Sequence, residues 1–297
     1  MRTVQKLKEE WHLNTDMTEL MDILKGVAAS EFWALAKKQG RFARFMNAFN
    51  GFFDIIDFSS VEHPFAREAG GLAIFMITSN EGFMGGLNSR VIKAALAHEE
   101  ADHAQLLIVG EQGAIQLKAL HRPFVGFPGI QSEERYYAAV DLRNYIIQQT
   151  KDGAFGRVVM YYPKPVSFMV QKVEELKILP CAELFKEKGR AALQRVEDII
   201  VESSLHNMIQ YLAETWIAQK LYEVFEDSKL AEFSARTVHL EESFQLLQEQ
   251  GKDIQYQYLR SWHDLINKGM RDIFAAQIVM RKAKRKPANG FGTNDKW

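Results

Sequence analysis

Prolines are absent from long stretches at both ends of the chain. Of the seven prolines, the first is Pro64 and the last two are Pro180 and Pro287, so residues 1–63 and 181–286 contain none. Proline inside a helix costs about 3 kcal/mol, because it lacks an amide hydrogen and its ring clashes with the preceding turn. The two stretches therefore predict long helices on either side of a proline-containing middle.

The spacing of apolar residues supports both helices. Apolar side chains that recur at alternating steps of three and four are typical of coiled coils. In the first stretch this spacing links Phe42, Phe45, Phe49, Phe52 and Ile56, and a similar face upstream holds Met17, Leu20 or Met21, Leu24, Val27 and Ala28. In the second stretch it links Leu205, Ile209, Leu212 and Trp216, and later Tyr258, Trp262 and Leu265. Some eighty helical residues would reach roughly 120 Å, so we expect part of this helix to pair with the first helix and part to be covered by other chains.

The middle of the chain has a different pattern, in which apolar runs alternate with amphipathic segments. Strands are predicted at 72–78, 105–110, 157–162 and 166–173, and helices at 88–101, capped by Asn88, and at 132–149, capped by a serine. This alternation predicts a small, partly parallel α/β layer. We divide the chain into an N-terminal coiled-coil helix (1–63), a small α/β domain (68–178), a C-terminal coiled-coil helix (190–280) and a basic flexible tail (281–297).

Composition restricts the function classes. The net charge of −1 argues against a general attraction to nucleic acid, and a single cysteine, Cys181, cannot form an internal disulfide or a zinc cluster. No apolar run is long enough to span a bilayer, and the charged first residues lack the apolar core of a signal peptide. These features predict a protein on the cytosolic side without a targeting segment.

A glycine-rich segment, "SNEGFMGGLN" (79–88), follows the first predicted strand. A phosphate-binding loop would need lysine and then serine or threonine after the last glycine, but Leu87 and Asn88 follow Gly86. The dinucleotide pattern Gly-x-Gly-x-x-Gly is also missing. The residues favour a turn that allows close packing, and anion binding stays open as the alternative.

Signals for reaction chemistry are weak throughout the chain. In "HEEADH", His98 and His103 are five residues apart and would point to different sides of a helix, so they do not form a zinc pair. Two Glu-x-x-His sequences, ending at His12 and His103, leave a di-iron helical bundle as a remote alternative. We assign no catalytic, cofactor-binding or metal-binding residue, which points towards a structural part of a larger assembly.

The glycine segment resembles the gamma subunit family of F-type ATP synthases, the central rotor shaft. The matching residues after the strand are Thr78, Ser79, Gly82, Phe83, Gly85, Gly86, Leu87 and Asn88, and the family's Val-Ala-Ala-Ser is present as Val27, Ala28, Ala29 and Ser30. In the second helix Arg236, Ile266, Met270, Asp272 and Ile273 fit the family pattern, whereas Trp262, His263, Asn267 and Gly269 replace its usual Arg, Gln, Thr and Glu. The fitting residues are expected at turns or subunit interfaces, and the replaced ones stand at positions that serve in the family as contacts to the beta subunits.

The resemblance implies a fold and a mechanism. The fold would be an antiparallel coiled coil of the two terminal helices plus a small Rossmann-like α/β domain. The chain would transmit torque between a membrane c-ring and a catalytic ring of alpha and beta subunits, with the epsilon subunit beside it, in ion-gradient-coupled ATP synthesis or hydrolysis. It would have no active site or cofactor of its own and would be peripheral to the cytoplasmic side of a bacterial inner membrane. A coiled-coil adaptor unrelated to rotation is the main alternative.

Overall fold

The computed structural model describes residues 3–37, 63–66, 68, 70–131, 133–181 and 205–284. The predicted stripe from Phe42 to Ile56 and the tail beyond Lys284 lie outside these residues. The chain divides into a first unit, which holds residues up to Asp22 and from Ser243 onward, and a second unit, Ile23–Glu242.

Both chain ends of the described structure are helical. Helix α1 covers Val4–Ala36, and the long C-terminal helix, α5, covers Leu205–Lys284. The side chains of α1 that are buried at seven-residue intervals are Leu7, Asn14, Met21, Ala28 and Leu35, the repeat of a left-handed coiled coil. The predicted upstream face is therefore only partly right, since Met17, Leu20 and Val27 are exposed.

Side-chain contacts give the direction of the helix pair in each unit. In the first unit Trp11 stacks on Tyr258, and Asn14 lies against Gly251. In the second unit Lys25 pairs with Glu241 at 3.0 Å, and a cluster joins Phe32 and Leu35 of α1 to Leu230 and Phe233 of α5. Within each unit, residues that come later in α1 contact residues that come earlier in α5, so the predicted antiparallel pairing is confirmed.

The second unit contains a five-stranded sheet with the order β3-β2-β1-β4-β5. Its strands are β1 (Gly71–Ile77), β2 (Gln105–Val109), β3 (Val125–Phe127), β4 (Phe155–Pro165) and β5 (Gln171–Leu179). The first four strands are mutually parallel, and β5 pairs antiparallel with β4. The central strands are near-continuous apolar runs because both faces of the sheet are covered.

Helices cover the two faces of this sheet. Helices α2 (Leu87–Leu96) and α3 (Glu111–Ala119) pack on one face, around Ile74, Met76 and Ile108. Helix α4 (Arg135–Lys151) and the early part of α5 pack on the other face, around Phe75 and Met160. The predicted α/β layer is confirmed, and α5 belongs to its core.

Several predicted boundaries are wrong. Helix α2 ends at Leu96 instead of 101, and Gly86, not Asn88, occupies its N-cap position. Residues 166–170 form the turn between β4 and β5 and are not part of a strand. Helix α4 begins at Arg135 after Glu134, and the predicted serine cap, residue 132, is outside the described residues.

Among the described residues, no helix combines the length and the apolar character that a bilayer-spanning segment needs.

Candidate functional site: the glycine loop on the long helix

The segment Ser79–Asn88, which we call the glycine loop, connects β1 to α2. Gly85 and Gly86 have φ angles of 53° and 84°, a left-handed backbone that glycine adopts without a steric penalty. Gly82 has no such angle and faces open space. The glycines therefore have different roles, because two of them make the turn and the third does not require a left-handed backbone.

A reciprocal pair of hydrogen bonds closes the loop. The buried Ser79 N–H donates to Asn88 Oδ1 at 3.2 Å, and Asn88 Nδ2 donates to Ser79 Oγ at 2.8 Å. Ser79 Oγ in turn donates to the carbonyl oxygen of Glu81 at 2.8 Å. Asn88 thus joins the two ends of the loop, instead of capping α2 as the sequence predicted.

The start of the loop is fixed against β2. Thr78 donates to the carbonyl oxygen of Val109 from both its N–H and its hydroxyl, at 2.8 and 2.7 Å. Gly110 and Gly113 lie so close to Thr78 that a Cβ atom on either would come within 2.3 Å of it. A side chain at Gly110 would collide with the Thr78 backbone, and one at Gly113 would collide with the Thr78 side chain, so these glycines let the start of the loop pack closely on the first turn of α3.

The other side of the loop packs on α5. Met84 and Leu87 form a buried cluster with Ala235, and a Cβ at Gly85 would be 3.7 Å from the side chain of His239. Arg236 Nη2 forms an ion pair with Glu81 Oε2 at 2.8 Å. Arg236 was expected at an interface from the sequence, and the structure places it against the loop in the same chain.

Charged side chains continue from this contact into the interior. Lys229 and Glu232 are buried on α5 and form an ion pair at 2.7 Å. Burial raises the pKa of Glu232, and the charges of Lys229 and Arg236 oppose that rise. Because an unpaired buried charge is costly, Lys229 stabilises the buried Glu232 within α5.

A second contact lies near the first, at the turn between β4 and β5. Ser234 Oγ donates to the carbonyl oxygen of Phe168, and Gln171 Nε2 donates to Ser234 Oγ. The ring of Phe168 also meets Phe32 and Trp33 of α1, with centroids 4.8 and 5.7 Å away. The glycine loop and the β4–β5 turn therefore add two contacts with α5 to the packing of early α5 on the sheet, and the β4–β5 turn also contacts α1.

The structure gives the loop a packing role. Arg90, the first basic residue after the loop, reaches towards the carbonyl oxygen of Gln171 at 3.4 Å. The charged loop side chain at the helix contact is the carboxylate of Glu81, which would repel an anion. These contacts favour the turn-and-packing interpretation over anion binding.

The "HEEADH" segment does not form a helix face. Residues 97–104 form turns, and Glu100 makes a bidentate pair with Arg157 at 2.6 and 2.7 Å. The hydrogen bond from Arg157 lowers the pKa of the Glu100 carboxyl. The described residues contain no group of three potential metal ligands.

The remaining predicted site residues lie on the paired helices. On α1, Ala28 is buried, whereas Val27 and Ser30 are exposed. The four predicted site residues near the end of α5 are all exposed, namely Ile266, Met270, Asp272 and Ile273. The sequence did not single out Glu81, Phe168, Ser234 or His239, because their partners lie far away along the chain and no local motif marks them.

Comparisons with known proteins agree with this architecture. A sequence model of the family described as ATP synthase matches residues 5–277. An ATP synthase gamma chain of Pelotomaculum thermopropionicum is 29% identical over 59% of this chain and 62% of its own length. One of Bacteroides thetaiotaomicron is 26% identical over 73% of this chain and 79% of its own.

A solved structure has the same fold. One chain in a structure of the Euglena gracilis mitochondrial ATP synthase, OSCP/F1/c-ring, matches 99% of both chains with a TM-score of 0.69 at 13% identity. Paired terminal helices and a small α/β sheet are thus the fold that this chain shares with the chain of that structure. This chain belongs to the ATP synthase gamma family, and its function is that of the central stalk of an F-type ATP synthase.

Proposed function

We propose that this chain turns as a shaft inside a ring of alternating alpha and beta subunits and carries torque between that ring and a membrane c-ring. The observation that carries the proposal is the double attachment of the sheet to α5, by the glycine loop and by the β4–β5 turn. A shaft must deliver torque as a conformational bias on its neighbours. A loose joint between its parts would absorb the torque as local motion instead.

The exposed face of α5 supports contact with surrounding subunits. Large apolar side chains are exposed over the last part of the helix, at Leu265, Ile266, Met270, Ile273, Phe274, Ile278, Val279 and Met280. Exposed apolar side chains in such number mark a surface that other chains cover. We infer that the alpha and beta subunits cover this part of α5, and that ATP chemistry takes place in them.

The sheet-bearing unit would contact the c-ring and the epsilon subunit. This places the chain at the periphery of the membrane, on the cytoplasmic side in a bacterium. Both the c-ring contact and the location at the membrane are inferred from the family to which the chain belongs.

Purification through a tag on this chain, followed by single-molecule observation, tests the proposal. We expect alpha, beta and epsilon subunits to co-elute. With the alpha and beta subunits fixed to a surface, a probe attached to the exposed face of α4 should rotate in one direction when ATP is added. Co-elution without rotation, or the absence of alpha and beta subunits, would support the adaptor alternative.

Two glycine substitutions in one loop provide a matched test of the attachment. Gly86→Val forces a β-branched residue into a left-handed backbone, whereas Gly82→Val places the same side chain in open space without that strain. We expect Gly86→Val to reduce ATP-driven ion pumping relative to ATP hydrolysis, and Gly82→Val to leave the ratio unchanged. Equal ratios for both variants and the parent would contradict a role for the loop in torque transmission.

A further inference from the structure

A cavity of about 230 Å³ lies at the same end of the sheet as the glycine loop, where its lining residue Gly129 packs against Asn80 of the loop. It is bounded by the ends of β2 and β3, one face of α4, and Phe225 of α5. Small-molecule sites in proteins commonly measure about 300–1,000 Å³, so this cavity is too small for a nucleotide. Its size suits a single side chain or a fragment of that size.

The lining of the cavity is apolar below and acidic at the rim. Buried side chains form the floor, namely Val109, Ile130, Leu142 and Phe225. Glu134, at the N-cap position of α4, and Asp141, seven residues later in that helix, are the charged side chains of the lining. Both are exposed, and no described lysine or arginine forms an ion pair with either. The occupant that this lining fits has an apolar stem and a positively charged end.

Aromatic side chains stand beside the rim. Tyr137 lines the cavity and is 69% exposed, and its ring meets that of Tyr136, which is 56% exposed, at 5.8 Å. Exposed tyrosines are enriched at protein interfaces. A guanidinium group can stack on an aromatic ring and bond a carboxylate with two parallel hydrogen bonds, which an ammonium group cannot do.

We propose that this cavity, the α4 pocket, receives an arginine side chain from a partner protein. The aliphatic stem lies on the apolar floor, the guanidinium group bonds Glu134 and Asp141, and Tyr137 covers it. The surrounding tyrosines contact the partner's backbone and its neighbouring apolar residues. The proposal concerns the pocket alone and does not depend on rotation.

The first test measures binding of benzamidine to the full-length chain by ligand-observed NMR, with benzamide as the neutral analogue of similar shape. Hydrogen bonds to a charged group contribute about 1.5–3 kcal/mol, which corresponds to roughly tenfold or more in affinity. We therefore expect benzamide to bind at least about tenfold more weakly. The double variant Glu134→Gln, Asp141→Asn should lose the preference for benzamidine, whereas Glu133→Gln, which removes a neighbouring charge outside the pocket, should keep it.

The second test identifies the source of the arginine. A photoreactive amino acid replaces Tyr137 in the complex as it is isolated from cells, and the attachment site on the partner is mapped. We expect attachment within a few residues of an arginine, with a yield that falls about tenfold in the double variant and not in Glu133→Gln.

Each measurement can overturn the proposal. Equal binding of benzamidine and benzamide would refute a cation site. Benzamidine binding without a cross-link next to an arginine would refute the assignment to a partner protein. Both outcomes are independent of whether alpha and beta subunits co-elute, so failure here is distinguishable from failure of the proposed shaft function.

Discussion

Replacement of Asn88 by alanine should open the glycine loop. The substitution removes the acceptor of the buried Ser79 N–H and the donor to Ser79 Oγ. An unsatisfied buried donor costs about 1–3 kcal/mol, and a lost hydrogen bond contributes about 1 kcal/mol more. We therefore expect Asn88→Ala to lower the free energy of unfolding by about 2–4 kcal/mol.

Two further variants calibrate this value. Ser79→Ala keeps the bond from its own N–H to Asn88 and loses the two hydroxyl bonds, so we expect a loss of about 1–2 kcal/mol. Ser89→Ala removes one exposed bond to Gln116 and should cost less than about 0.5 kcal/mol. The expected order of destabilisation is Asn88→Ala, then Ser79→Ala, then Ser89→Ala.

Urea unfolding followed by circular dichroism measures the three values, and an unchanged slope against urea checks that the comparison is valid. Because the chain has two units, hydrogen exchange of peptides that cover the loop provides a local measurement. Exchange should accelerate in Asn88→Ala and not in Ser89→Ala. If Asn88→Ala costs less than about 1 kcal/mol and leaves exchange in the loop unchanged, the assignment of Asn88 as the residue that closes the loop is wrong.

Three other perturbations follow from the second unit. Gly110→Ala would place a Cβ 2.3 Å from a backbone carbonyl oxygen at a φ of 106°, whereas the Cβ of Gly153→Ala, at a φ of 78°, would lie in open space. In thermal melts, the free energy of unfolding should fall by more than about 2 kcal/mol for Gly110→Ala and by about 1 kcal/mol for Gly153→Ala. A double-mutant cycle on Glu81 and Arg236 should give a coupling energy of about 0.5–1 kcal/mol that shrinks as salt is added, and a coupling that does not depend on salt would contradict an ion pair. Burial lowers the pKa of His63 from 6.5 to about 4, so between these pH values the unfolded chain binds more protons than the folded chain, and the free energy of unfolding should fall as pH decreases from 6.5 towards 4. His63→Gln should flatten this part of the plot of stability against pH, and an unchanged slope would refute the lowered pKa of His63.

Patterns of proline, glycine and apolar residues were sufficient to predict the helices and strands that depend mainly on residues within the same segment. Proline-free, periodically apolar stretches predicted the terminal helices, and the buried strands β1 and β2 were found within one residue because their apolar runs end at polar or glycine-rich turns. The short strand β3 and helix α3 were missed. Neither has a strong apolar period, and both depend on the neighbouring sheet for their stability.

The role of Asn88 shows the limit of local inference. Its position after two glycines is compatible with a helix cap, and sequence alone gives no reason to prefer a bond to Ser79. The same holds for α1, where apolar residues occupy two adjacent stripes and only packing against α5 selects the one with Met21 and Ala28.

The sequence by itself determined that the chain has long terminal helices, an α/β middle and a tight glycine turn, because proline, glycine and hydrophobic periodicity act through the nearest few residues. Only the tertiary structure decided that the turn rests on Arg236 and His239, more than a hundred residues away in the chain, and that an acidic pocket forms beside α4. Contacts of that kind depend on how the helices and the sheet pack, and chain-distant side chains leave no local signal of the partner they will meet.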